Sequence, residues 1–262
     1  MGVHTKITLQ EVKQLFPSYN FQTLIPTKNG VIDTTYILDD KILKRYERKI
    51  DSKINNDAKL LQKLHAAKLN VPRLIDTKDG WYLYEKLHGK VPKNINYYHI
   101  QALARFIAKM HQESHKNVCK ENFFDAYDID AILHFTKRYY YSYFKKLQQF
   151  QKYSPKNDGF IHGDIFKDNT VFNGEKIGVF DFIDGGYGEF SFDIAVALVA
   201  FNPQNKISFL QLFLKTYNHN APKKIALDRL QLQIKRASQL YALLRINKYK
   251  NPKRAKTLAN LW

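Results

Sequence analysis

Apolar positions in the first ninety residues fall into short alternating runs, the period-two pattern of half-buried strands. "YNFQTLI" (residues 19–25), "TTYIL" (34–38), "KILKRY" (41–46), "VPRLIDT" (71–77) and "GWYLYEKL" (80–87) all read this way. The second and third, joined by Asp39-Asp40, predict a hairpin. Two stretches break the rhythm. "TLQEVKQLF" opens with Thr8 and has Glu11 three places on, the signature of a capping box on a short helix. "NNDAKLLQKLHAAKL" (55–69) has helical spacing, with Asp57, Leu60, Leu61 and Leu64 on one side.

After the Gly/Pro connector "HGKVP" (88–92) the period changes. "YYHIQALARFIAKMHQES" (97–114) and "DIDAILHFTKRYYYSYFKKLQQFQKY" (128–153) predict long helices, and from "FSFDIAVALVAF" (190–201) onward the chain reads as helical. Short β-like runs, "TVFN" (170–173) and "KIGVFDF" (176–182), interrupt them. A β-rich front and a helical back predict an α+β protein of two unequal lobes, residues 1–90 and 91–262.

Composition adds limits. At 44% hydrophobic residues the chain has enough apolar content for a packed core. The single Cys119 cannot form a disulfide within the chain, which fits a reducing compartment. There is no charged-then-apolar signal pattern at the N-terminus, and "IAVALVAF" (194–201) is too short to span a bilayer. The expectation is a cytoplasmic protein without a membrane partner. The net charge of +18 attracts polyanions. Positive residues cluster in "RINKYKNPKRAK" (245–256) and mix with aromatics in "KRYYYSYFKK" (137–146), a composition that suits single-stranded nucleic acid. No recognised nucleic-acid motif accompanies them. The expected reading is therefore Lys-rich solvated helix faces with the aromatics pointing inward.

Chemistry concentrates in "FIHGDIFKDNTVF" (160–172). It holds His162, Asp164 and Asn169, and Asp181 follows seventeen residues after Asp164. A hairpin turning at "NGEK" would fold Asp181 back beside the loop. That brings together two carboxylates and an amide, oxygen ligands suited to Mg²⁺ with substrate phosphates. Phosphoryl transfer needs such parts: Asp164 to orient a hydroxyl and accept its proton, Asn169 and Asp181 to hold metal. His162 would bond the loop backbone. A polar β-turn uses the same residue types, but the second carboxylate at hairpin distance favours a catalytic loop.

"HGDIFKDNTVF…IGVFDF…FDIAVAL" resembles the aminoglycoside phosphotransferase/choline kinase-like superfamily, small-molecule relatives of the protein kinases. The resemblance implies a protein-kinase-like two-lobed fold, with a small β-rich N-lobe, a larger mainly helical C-lobe and ATP in the cleft. It implies the same roles for Asp164, Asn169 and Asp181, and a loop-bracing role for Asp193, for which a helix N-cap is the plainer alternative. It places the phosphate-binding lysine at Lys44, with Ile42 on its inward face and Asp57 where the family has Glu. The phosphate-covering loop "KNGVIDTTYIL" would use Gly30 and the hydroxyls of Thr34 and Thr35, without a G-x-G-x-x-G signature. Main chain at Glu85, Lys86 and Leu87 would meet adenine.

Twelve positions separate Asp181 from Asp193, too few for a protein-kinase activation segment. A small hydroxyl compound is the expected acceptor. The loop most resembles homoserine kinases of this fold, making homoserine the leading guess, with Lys167 for its carboxylate. Asp184 would serve a cationic acceptor and Tyr187 an aromatic cage for choline or another amino alcohol. Aminoglycosides remain a further alternative. A nucleic-acid-binding or regulatory protein on a kinase-like fold is the reading from a different class.

Overall fold

In the computed structural model the described residues are 3–27, 32–48, 50–114 and 121–261. Gly30 and Cys119 lie outside them. The chain divides into two compact units, Met1–His88 and Gly89–Trp262.

The first unit begins with α1 (Leu9–Leu15). Its capping box is complete: the Thr8 hydroxyl accepts from the Glu11 N–H, and the Glu11 carboxylate accepts from the Thr8 N–H at 2.7 Å. Such a cap contributes about 1 kcal/mol. There follow β1 (Ile25–Pro26), β2 (Thr34–Leu38), β3 (Lys41–Arg45), α2 (Asp51–Ala66), β4 (Leu74–Lys78) and β5 (Trp81–Glu85). The strands form one antiparallel sheet in the order β1-β2-β3-β5-β4. The β2–β3 hairpin turns at Asp39-Asp40, where Asp39 has φ 49°.

Alternation decides the sheet's faces. Tyr36, Leu38, Leu43, Trp81 and Leu83 are buried with Val12 and Phe16 of α1 and with Phe21. The core face is therefore that of Leu43, and Lys44 and Ile42 lie on the opposite one. The predicted strand at residues 19–25 shrinks to its last residue. The N–H groups of Gln22 and Thr23 donate instead to the Asp39 carboxylate, at 2.9 and 3.0 Å, and so leave the ladder.

The second unit contains α3 (Tyr97–Ser114), α4 (Ile129–Tyr139), α5 (Tyr141–Leu147), β6 (Gly159–Ile161), β7 (Thr170–Asn173), β8 (Lys176–Val179) and β9 (Gly186–Gly188). It closes with α6 (Phe190–Phe201), α7 (Ile207–Asn220), α8 (Leu227–Tyr249) and a 3-10 helix, Pro252–Leu261. All of α6 except Ala200 is buried, as an all-round apolar helix requires. It packs on α8, and α3 packs on α7. Among the described residues no helix is long and apolar enough to cross a membrane.

Two expectations change here. The predicted helix over 128–153 breaks at Tyr140, which has φ −142° and ψ 55°. A run of aromatic side chains is a weak helix former, and the Tyr140 hydroxyl bonds the Lys250 carbonyl at the end of α8, pinning the break. The β6–β9 pair has no counterpart in the sequence reading, because three residues are too few to show alternation. The result is a small antiparallel β-rich unit and a larger, mainly helical one, a protein-kinase-like α+β architecture.

One polar cluster anchors the helical unit. Glu189, just ahead of α6, is 2% exposed and accepts from Arg229, Ser191 and the Tyr153 hydroxyl. Burial pushes its carboxyl up, but the bonds from Ser191 and Arg229 outweigh burial and hold it below the ordinary value. A depressed carboxyl contributes stability above its ordinary value of 4.5, and that contribution is lost as pH falls through the lowered one. Arg229→Ala should therefore destabilise the protein at neutral pH by about 2–3 kcal/mol, with Arg229 itself part-exposed. Glu189→Gln should make the acid limb of the Tm-against-pH curve shallower. An unchanged acid limb would remove Glu189 from the acid response.

Candidate functional site

The β7–β8 hairpin turns at Gly174-Glu175, inside the predicted "NGEK" turn. Beyond the ladder, the Phe180 N–H donates to the Asn169 carbonyl at 3.1 Å, and Nε2–H of His162 donates to the Phe180 carbonyl at 3.1 Å. These bonds bring Asp181 back beside the loop that carries Asp164 and Asn169. Asp181 has φ 69°, the left-handed region that few non-glycine residues occupy, and Asp tolerates it better than most. Such strain is characteristic of residues held in place by the surrounding structure.

The loop is fixed from below. The buried Asp193 carboxylate accepts from the N–H of His162 at 3.2 Å, of Gly163 at 2.7 Å, and from Nε2 of His111 at 3.0 Å. Asp193 lies inside the first turn of α6, with Glu189 at the N-cap position, so it braces the loop and does not cap the helix. Nδ1 of His111 pairs with the Tyr217 hydroxyl at 2.8 Å, and the His111 ring stacks on Phe190 at 4.0 Å. Nδ1 of His162 accepts from the Asp164 N–H at 3.2 Å, so both ring nitrogens serve the loop backbone. Burial lowers the His162 pKa, against the opposing pull of Asp193. Gly163 has φ 71°, and a Cβ there would lie 2.0 Å from the Phe123 ring. Only glycine fits this turn.

Asp164 is the centre of charge. The Asn169 amide nitrogen donates to its backbone carbonyl and to Oδ2, both at 2.9 Å. The Tyr241 hydroxyl of α8 bonds the Gly163 carbonyl and stands 3.4 Å from Oδ1. A hydroxyl has one proton, and here the shorter bond takes it. Oδ1 thus keeps lone pairs for an incoming donor. Burial first, then the charges of Asp168, Asp181 and Asp184, push the Asp164 carboxyl up to about 7, with Asn169 opposing them.

The donor set fits a hard divalent cation. With its NH₂ group committed to Asp164, Asn169 has its amide oxygen left for a metal, and Asp181 supplies an exposed carboxylate. Among the described residues no three His, Cys, Asp or Glu side chains form a metal cluster. One carboxylate and one amide are what Mg²⁺ uses when substrate phosphates complete its shell.

In the first unit, Lys44 is mostly covered, its side chain 15% exposed. Its ammonium lies 3.9 Å from the Asp33 carboxylate and 4.7 Å from the Tyr46 ring. Asp33 also takes Arg48 at 3.1 Å. The sequence reading did not single out Asp33, although it immediately precedes the strand that pairs with β3. Asp57 is buried on α2, and its charge and that of Lys44 act with opposite sign on the Tyr84 phenol, whose pKa burial raises.

Thr34 does not face an open loop. It is fully buried; its hydroxyl accepts from the N–H groups of His4 and Thr5 and donates to Glu47 at 2.6 Å. That exhausts one proton and two lone pairs, leaving nothing for a phosphate. Thr35 is half-buried, and its carbonyl accepts from Thr27. At the expected adenine segment, the Glu85 N–H donates to Arg73 and the Lys86 N–H to Asp40, while Leu87 follows directly.

Of the acceptor-side residues, Lys167 sits half-buried in a 3-10 turn, Lys167–Asn169, and Asp184 is exposed. Tyr187 lies on β9, its N–H bonded to the Glu121 carbonyl at 2.8 Å. Tyr127 joins them. Its phenol pKa is raised by burial and by the charges of Asp164 and Asp184, which places it at the same carboxylates. Tyr127 and Tyr241 lie far from the motif in sequence, and no local signal marks them. Tyr241→Phe keeps the ring contact with Phe166 but removes the hydroxyl. It should lower stability by about 1 kcal/mol and kcat about tenfold with nucleotide KM unchanged. A stability loss with unchanged kcat would make Tyr241 a packing residue only.

The family profile described as "Phosphotransferase enzyme family" matches residues 23–231. Among curated proteins no sequence matches the chain significantly. Among solved structures, amicoumacin kinase hAmiN in complex with AMP-PNP and Ca²⁺ is similar at TM-score 0.73 and 17% identity, over 97% of this chain and 90% of that one. Wild-type aminoglycoside 2'-phosphotransferase-IIIa with GDP gives 0.66 and 16%, over 96% and 95%. Macrolide 2'-phosphotransferase MphH from Brachybacterium faecium gives 0.67 and 14%, over 97% of both chains. At these identities the likeness is one of fold, and none of the three is a homoserine kinase. The profile, spanning most of the sequence, shows that this chain belongs to the phosphotransferase enzyme family.

Proposed function

We propose that this protein is an ATP- and Mg²⁺-dependent kinase that phosphorylates a hydroxyl of a small amine-bearing compound. The observation that carries the reading is the Asp164–Asn169–Asp181 arrangement: one carboxylate with a free oxygen, an amide turned to present its own, and a second carboxylate brought alongside by the hairpin. Asp164 Oδ1 orients the acceptor hydroxyl and takes its proton. Asn169 and Asp181 would hold Mg²⁺, which neutralises phosphate charge when bound. Lys44 neutralises further phosphate charge, and main chain at Glu85–Leu87 receives the adenine. Asp57 helps to orient Lys44.

The acceptor follows from charge. Asp168 and Asp184 are exposed near Asp164, and carboxylates in excess of the metal's needs favour a cationic acceptor. An aminoglycoside-type polyamino alcohol fits, as does an amino alcohol such as choline backed by Tyr127 and Tyr187. Homoserine has the amine, and Lys167 would pair with its carboxylate. Purified protein with Mg²⁺ and ATP or GTP, offered aminoglycosides, choline, ethanolamine and homoserine, should phosphorylate an amine-bearing member, as read by product mass. Chelating the divalent ion should abolish the product. Phosphorylation of neutral hydroxyl compounds alone would overturn the amine requirement, and absence of transfer to every acceptor would overturn the kinase reading.

A further inference from the structure

The positive charge is not spread over the chain. Residues 131–157 contain six Lys and Arg, residues 230–262 contain eight, and neither segment has a single Asp or Glu. Together they hold all but four of the net charge of +18. The two segments meet in the fold. α4 packs on α8, the Tyr140 hydroxyl bonds the Lys250 carbonyl, and the Lys250 ammonium lies 3.9 Å from the Phe135 ring. The Gln239 side chain reaches the Lys146 carbonyl at 3.5 Å. Two acid-free segments a hundred positions apart thus build one surface.

Sequence reading turned the aromatics of this region inward. The structure does the opposite with three of them: Tyr139, Tyr141 and Tyr249 are 57%, 55% and 49% exposed. Each has a cation beside its ring: Arg138 at 5.3 Å from Tyr139, Lys145 at 5.0 Å from Tyr141, and Lys248 at 5.6 Å from Tyr249. Exposed rings flanked by cations, on segments that carry no acid beyond Asp130 in the first turn of α4, pair a stacking platform with a phosphate contact.

We infer that the face formed by α4, α5 and the C-terminal end of α8 binds single-stranded nucleic acid. Unpaired bases stack on Tyr139, Tyr141 and Tyr249, while the neighbouring lysines and arginines meet the phosphates and release counterions. An anionic membrane would draw on the same charge. Insertion into a bilayer, however, calls for aliphatic or Trp anchors; among the described residues the exposed large aliphatics Ile25, Ile32, Val91 and Ile207 lie on other segments, and Leu232 sits in the second turn of α8, away from its C-terminal end. Tyr139, Tyr141, Tyr249 and the cations beside them are not among the residues assigned to phosphoryl transfer, so the inference stands apart from the kinase reading.

The test is fluorescence anisotropy of the full chain with labelled single-stranded RNA and DNA of about 20 nucleotides, the matching duplex, and phosphatidylserine vesicles, over a salt series. Single strands should bind more tightly than duplex, with log affinity falling linearly in log salt. Tyr139→Ala/Tyr141→Ala should weaken single-strand binding about tenfold or more at unchanged salt slope. Lys137→Gln/Lys145→Gln should reduce that slope by about one to two. Asp164→Asn should bind the oligonucleotides as the wild type does. Equal affinity for duplex, indifference to both double variants, or binding to vesicles without binding to oligonucleotides would overturn the inference.

Discussion

Asp164→Asn should lower kcat by about a thousandfold or more and leave nucleotide affinity intact. The substitution is nearly isosteric, and its consequence follows from one atom. Asn169 already donates to Oδ2, so an asparagine at 164 turns its own oxygen to that donor. Its NH₂ group then occupies the place of Oδ1, and a lone pair that accepts the acceptor's proton becomes a donor that cannot. The loop backbone is untouched, because its bonds run through Asp193 and His162. The nucleotide contacts assigned to Lys44 and Glu85–Leu87 belong to the other unit. Stability should hold or rise, since burial and the charges of Asp168, Asp181 and Asp184 already disfavour an ionised Asp164. Single-turnover kinetics and calorimetric ATP titration read the two effects separately. Loss of ATP binding with unchanged turnover per bound complex would sink the assignment.

What sequence could and could not reveal divides by the range of the interactions. The capping box runs over four residues, Thr8 to Glu11, and shows in those four. The β7–β8 hairpin announces itself by a turn between two apolar runs, and with it comes the placement of Asp181 beside Asp164 and Asn169. Long-range partners left no trace. His111 reaches the loop's brace, Asp193, from 82 positions away and Tyr241 reaches Asp164 from 77, and each belongs to a helix whose periodicity accounts for it as core. In the first unit alternation puts Lys44 and Ile42 on one face of β3, and the structure sets that face opposite the packed one of Leu43. Thr34 looked like a phosphate donor because its hydroxyl is visible in the sequence and its three partners are not. The expectation that the tyrosines of this region point inward rests on aromatic rings being usually buried; the break at Tyr140 gives α5, with Tyr141, a phase that the pattern of α4 does not foretell.

Asp193→Asn should cost about 2–4 kcal/mol of stability and, in the protein that remains folded, about a hundredfold in kcat. Asp193 meets donors on both oxygens: Oδ2 takes the His162 N–H and His111 Nε2, Oδ1 the Gly163 N–H. An asparagine offers one oxygen and one NH₂ group, so either orientation points a donor at a donor in a site with no exposure to water. The loop must move to escape that contact. Asp164 begins one residue after Gly163, so its Oδ1 moves with the loop, and displacement by about an ångström is enough for the predicted loss. Nucleotide KM should stay within about twofold, because the residues assigned to the nucleotide are not held by this bond. Thermal unfolding gives the stability term, and kcat measured well below the variant's Tm gives the positional one. If kcat falls only in proportion to the unfolded fraction, Asp193 holds the fold together without setting the geometry of the base.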